Sequence, residues 1–271
     1  MTKAKKNRFK NLNKRTFFAF PYVAVSVIFV IIPLILVFVY AFRARADGSF
    51  TLTNFSEFFL AGNTWRMIGR SFAFAFLATF FCLVICYPLA LALLRFKNKT
   101  AVLVMLFILP MWINTLLRIY AVRMLLGDII GESFQLALIG MVYDFFPFML
   151  LPIYTILANT DNSYMEAAGD LGASPVRALL KVRLPLSLPG IISGCIMVFM
   201  PTISSFVFTD ILGGLNHIIG NEIYSWFGIN HTYNSGAPFV IVLMLIVGAI
   251  MLITTFLTKG RAQESRMGGL A

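Results

Sequence analysis

Charge is scarce in this sequence. Only 12% of its 271 residues are Asp, Glu, Lys or Arg, and 59% are apolar. A soluble domain carries about 25% charged residues. This composition therefore argues against a water-soluble enzyme, a disordered chain or a secreted scaffold. Acids are scarcer still, 11 against 22 basic residues. Cysteine occurs at Cys82, Cys86 and Cys195, each inside an apolar run and never as C-x-x-C. That spacing fits neither a disulfide framework nor a metal site, so the three read as small buried hydrophobes. The two histidines, His217 and His231, fall in one loop and read as solvated. The sequence holds no G-x-x-x-x-G-K-[ST], no H-E-x-x-H and no G-x-S-x-G. It offers no phosphate loop, zinc-protease helix or nucleophile elbow, and the chain does not read as an enzyme.

What is present is long apolar runs. A helix needs about 20 residues to cross about 30 Å of hydrocarbon. Six segments qualify: 17–42, 71–94, 101–121, 137–158, 190–210 and 237–258. The first exceeds the roughly 7–15 apolar residues of a signal-peptide core and reads as an uncleaved span. The expected fold is an all-α integral membrane domain of six transmembrane helices over 17–258, with tails at 1–16 and 259–271. Outer loops at 43–70 and 211–236 are expected to carry no further domain. No repeat is visible. Prolines inside the spans, among them Pro88, Pro110, Pro147 and Pro201, are compatible with kinked or broken helices.

Charge placement orients the bundle. Sixteen of the 22 basic residues, but only four of the 11 acids, fall in 1–16, 95–100, 159–189 and 259–271. The positive-inside rule then makes both termini cytoplasmic. Seven basic residues precede the first span. A basic tail can serve nucleic acid, but beside an apolar span it reads as a flank on anionic lipid. Membrane lipid is the expected partner, and nucleic acid is not.

The 159–189 loop is the most structured of the polar segments. Ser163-x-x-Glu166 has capping-box spacing and predicts a helix from about Tyr164. Gly172 is a suitable stop. Ser174 and Pro175 fit the N-cap and first position of a second helix, expected to end before Pro185. The prediction is two short helices meeting at Gly172-Ala173-Ser174. The small residues Ala167, Ala168 and Gly169 would allow close approach by a partner.

Charges inside the spans are costly and mark functional candidates. Arg118 and Asp144 read first as a structural ion pair and second as substrate contacts. Asp210 follows Phe206, Phe208 and Thr209 and has no basic neighbour in sequence. Together with Trp112, Tyr120 and Tyr143 on other spans, a carboxylate among aromatic faces suits an organic cation. The candidate substrate path is Trp112, Tyr143, Asp144, Phe208 and Asp210.

Two sets of motifs resemble a known family. Glu166-Ala167-Ala168, then Gly172, Val182 and Leu184-Pro185, resembles the EAA loop of ABC-importer membrane subunits, with valine in place of the usual isoleucine. The stretches Leu109–Ala121, Asp170–Ser174, Leu188–Gly194, Asp210–Gly214 and Ile219–Asn221 resemble spermidine/putrescine permeases of the PotB type. The resemblance implies a type I ABC importer permease fold in a bacterial inner (plasma) membrane, importing polyamines by alternating access. It implies a heterodimer with a paralogous permease subunit, two copies of an ABC ATPase and an external polyamine-binding protein. Glu166, Ala167, Ala168, Gly169, Asp170, Leu171 and Gly172 would then dock on the ATPase. ATP and Mg would sit on that partner, with no cofactor and no metal in this chain. The alternatives are an importer of another small solute (an oxyanion, iron or an amino acid) or a stand-alone secondary transporter.

Overall fold

The computed structural model describes residues 21–45, 47–96 and 100–267. The basic 1–16 tail, part of the 95–100 segment and the side chains of the 259–271 tail lie outside the described residues. In chain order the helices are α1 (Pro21–Ala41), α2 (Thr53–Leu60), α3 (Gly62–Leu93) and α4 (Thr100–Ile108). There follow α5 (Thr115–Ile130), α6 (Phe134–Asn159), α7 (Ser163–Asp170) and α8 (Pro175–Thr202). The last three are α9 (Phe206–Ile211), α10 (Ile219–Tyr224) and α11 (Tyr233–Met267). Arg43 and Phe50 form an isolated antiparallel bridge.

Five of these helices are long and apolar enough to cross a bilayer, and a sixth crossing exists if one bent pair counts as one span. That pair is the expected third span. It is not a continuous helix over 101–121. Val102–Trp112 and Thr115–Ile130 meet at 94°. Pro110 ends α4 in a 3-10 turn over Leu109–Trp112, and Asn114 caps α5 by accepting from the Leu116 N–H at 2.8 Å. A proline turn followed by a good N-cap stops one helix and starts another.

The core is three helices in contact, α3, α6 and α8. On α3, Ala75, Ala78, Cys82, Cys86 and Ala90 recur at spacings of three and four, all with no exposed surface. Small side chains on one face let helix backbones approach closely, which is how helices associate in lipid. The cysteines belong to this seam, with the Cys82 and Cys86 thiols donating to the carbonyls of Val142 and Phe146 on α6. On α8, a Cβ at Gly190 would lie 2.8 Å from the Pro152 carbonyl oxygen. One at Gly194 would lie 2.7 Å from the Met149 sulfur. Helix α1 packs chiefly on α11, through Ala41 against Ala237 and Ile241, and leaves its apolar length exposed.

Two further boundaries differ from expectation. The second helix of the 159–189 loop does not stop before Pro185. It runs on as α8, because a wide π turn at Leu179–Arg183 makes room where the proline ring would otherwise crowd the preceding turn. The fifth span, expected over 190–210, ends at Thr202. A break at 203–205 precedes the short helix α9, which carries Asp210. The 43–70 and 211–236 loops are partly helical, holding α2, the start of α3 and α10.

Candidate functional site

The first candidate surface is α7 and the corner that follows it. Helix α6 ends at Asn159 with Thr160 extended. The Asp161 carboxylate accepts from the Ser163 N–H at 2.9 Å, and Asn162 occupies the N-cap. The expected capping box is therefore not formed. Ser163 is already inside the helix, one position too late to cap it, and Asp161 takes over the first free donor. Past the helix, Gly172 adopts φ +79°, a left-handed conformation that only glycine takes without strain. Its N–H donates to the Gly169 carbonyl at 2.8 Å, and the Ala173 N–H reaches Ala168 at 2.9 Å. These two bonds form a Schellman closure. The Ser174 hydroxyl then accepts from the Arg177 N–H at 3.4 Å, with Pro175 at the first helical position.

The closure turns the chain while leaving its apolar residues outside. Leu171 is 89% exposed, and Tyr164 and Val176 are also exposed. Glu166, Ala167, Gly169, Asp170 and Gly172 are exposed, and Ala168 is half-buried. Among the described residues, nothing beyond the adjoining backbone lies within 4 Å of a Cβ placed at Gly169 or Gly172. Packing among the described residues thus does not demand a small side chain at Gly169 or Gly172. Arg183 donates to the Asn162 side chain at 3.0 Å and braces α7 against α8.

The second candidate is the charge pair inside the bundle. Arg118 lies in the first turn of α5, and Asp144 lies midway along α6. Their side chains meet at 2.9 Å, each only 5% exposed. Arg118 also donates to the Thr115 hydroxyl at 3.0 Å and to the Asp144 carbonyl at 3.3 Å. Its Nε has no hydrogen-bond partner among the described residues. The pair anchors the helix that starts after the 94° bend.

The candidate path residues do not converge on one cavity. Trp112 is 86% exposed at the 3-10 turn. Tyr143 lies half-exposed on a groove of about 720 Å³, beside Asp144, which turns inward to Arg118. Phe208 is buried against Phe145, ring centres 5.8 Å apart. Asp210 is exposed on α9. Sequence reasoning missed a buried clasp nearby. The Asn221 side chain accepts from the Thr209 hydroxyl at 2.7 Å and from the Ile218 N–H at 2.9 Å. The Ser71 hydroxyl accepts from the Ile219 N–H at 3.0 Å. The Asp210–Gly214 and Ile219–Asn221 stretches thus flank a fold lock. The missed signal is a set of polar residues inside otherwise apolar or glycine-rich stretches.

Residues 87–263 match the family described as binding-protein-dependent transport system inner membrane component. The chain belongs to this family. It is a multi-pass permease of the bacterial inner membrane. The permease is 32% identical over 252 residues to the spermidine/putrescine transport system permease protein PotB of Escherichia coli, covering 84% of this chain and 91% of that one. PotB of Haemophilus influenzae is 33% identical over 208 residues, covering 69% and 73%. PotC of the same organism is 30% identical over 174 residues, covering 63% and 66%. Among solved structures, a bacterial ABC transporter importing the polysaccharide alginate superposes with a TM-score of 0.77 over 93% of this chain and 98% of that chain. Identity there is 15%, so this likeness concerns the fold.

Proposed function

We propose that the permease is one membrane subunit of an ATP-driven polyamine importer, carrying spermidine or putrescine inward. The observation that carries the reading is the exposed α7 corner. A helix with EAA spacing, closed by Gly172, leaves Tyr164, Leu171 and Val176 mostly exposed among the described residues. Exposed apolar residues beside small ones suit a protein partner. That partner is a separate ABC ATPase, two copies of which bind ATP and Mg and drive alternating access through Glu166–Gly172. Similarity to both PotB and PotC favours a second, paralogous permease subunit. An external polyamine-binding protein delivers the substrate.

Both termini, α7 with its corner and the C-terminal end of α3 face the cytoplasm. This orientation rests on the clustering of basic residues in those segments. Asp144 serves Arg118 and acts as a structural residue. Asp210, exposed and free of any ion pair among the described residues, is the carboxylate available to an ammonium group. Trp112 and Phe208 stay on the candidate path as aromatic neighbours, whereas Tyr143 opens onto an apolar groove along α6.

The test is uptake of labelled spermidine by cells lacking the gene, with and without its return, and with unlabelled putrescine as competitor. Uptake lost on deletion and restored by the intact gene supports the reading. Unchanged uptake, in cells with no second polyamine importer, overturns the substrate assignment.

A further inference from the structure

A seam between α3 and α6 carries two cavities in succession. The first, about 950 Å³, lies where α3 ends and α7 begins. Arg95 and Arg183 line it, with Tyr154, Thr160 and Asn162, and no carboxylate among the described residues does. The second is the 720 Å³ groove, lined almost wholly by apolar side chains such as Phe81, Ile85, Phe107 and Val142. Helix periodicity joins them. Phe81 and Ile85 line the groove, and Pro88, Ala92 and Arg95 line the cationic cavity. Spacings of four, three and four place Phe81, Ile85, Pro88 and Ala92 on one face of α3, and Arg95 follows three residues on, in the turn just past the helix. On α6, Ile139, Tyr143 and Pro147 continue into Tyr154 and Ala158 in the same way.

Arg95 stands fourteen positions after Phe81, in the turn that follows α3. At about 1.5 Å per residue this stretch runs about 21 Å. Half of a bilayer about 40–45 Å thick, headgroups included, has the same depth. The charge pattern follows that depth, with two guanidiniums at one end and hydrocarbon-like walls at the other. Arg95 and Arg183 form no ion pair among the described residues. Arg183 uses one nitrogen on Asn162, which leaves further N–H donors free. Guanidinium is the side-chain group best shaped to grip a phosphate. The apolar groove is open rather than packed, with Phe81, Ile85, Ile139 and Tyr143 each partly exposed. A wall of phenylalanine and isoleucine does not suit passage of a polycation.

We infer that this seam seats one anionic phospholipid, its phosphate held between Arg95 and Arg183 and an acyl chain laid along the α3–α6 groove. The phosphate then bridges the end of α3 to the first turns of α8 and, through Asn162, to the start of the coupling helix. A lipid in this seat would stiffen the connection that carries motion from α7 into the bundle.

Native mass spectrometry of the detergent-solubilised full chain tests the assignment, with phosphatidylglycerol and phosphatidylcholine offered at equal concentration. The expected result is one retained phosphatidylglycerol, preferred about thirty-fold, the factor that two arginines at a lipid surface supply. Arg95→Gln with Arg183→Gln should remove the preference at unchanged gel-filtration elution. Arg95→Lys with Arg183→Lys should keep most of it. Glycerol 3-phosphate, which has the anionic head without the tails, should not displace the lipid. Equal retention of the two lipids, a preference that survives the glutamine pair, or displacement by glycerol 3-phosphate would each overturn the lipid seat.

Discussion

At the scale of single residues, the permease separates groups that hold its fold from groups left open to partners. Arg118 and Asp144 are fold-holding. Removing one member of a buried pair leaves an uncompensated charge and costs about 3–5 kcal/mol, whereas replacing both by apolar groups is often near neutral. Arg118→Met alone should therefore lower the thermal midpoint of the purified permease sharply. Arg118→Met with Asp144→Leu should recover most of the loss. A double variant less stable than either single one would show that the pair does more than satisfy itself. Glu166 has the opposite character, since its side chain is exposed, and Gly172 has open space beside it although its φ of +79° shapes the corner. Glu166→Lys or Gly172→Asp should abolish uptake while leaving membrane insertion intact. Wild-type uptake at equal protein level would remove these residues from the docking surface. Asp210→Asn should weaken polyamine uptake and leave assembly with the ATPase unchanged, and an unchanged uptake rate would take Asp210 off the path.

At the scale of elements, the packing of α8 on α6 depends on glycine. A Cβ at Gly190 or Gly194 meets α6 at under 3 Å. Overpacking of this kind costs about 1–3 kcal/mol, so Gly190→Val should reduce the amount of folded permease recovered from membranes. Much of this level was legible in the sequence. Apolar length alone located the spans, because hydrocarbon thickness fixes how many residues a helix needs. The Gly172 and Ser174-Pro175 corner was legible because caps and left-handed turns are local backbone chemistry. The breaks were not. Leu109–Leu116 stays apolar apart from Asn114 and Thr115, so hydropathy runs straight through the 94° bend. Pro185 gave a false stop, since a π turn is an adjustment of neighbouring backbone that no residue type announces. The Arg118–Asp144 contact was legible because a charge in hydrocarbon demands a partner. The Thr209–Asn221 clasp needed α9 and α10 to be placed first.

At the scale of the whole molecule, three features stand together: a tight three-helix core, an α1 packed chiefly at one end, and an α7 corner facing outward. A single chain with this much uncovered apolar surface is built to sit in lipid and among other subunits. In the proposed function α7 transmits ATP-driven motion to a polyamine path. The most direct measurement is labelled-spermidine uptake by proteoliposomes holding the reconstituted complex, with and without ATP on the ATPase side. Wild-type permease and Gly172→Asp would be compared at equal incorporation. The expected result is uptake that requires ATP and is lost in the variant. Uptake that follows an imposed ion gradient without ATP, or that proceeds at the wild-type rate with Asp at position 172, would contradict it.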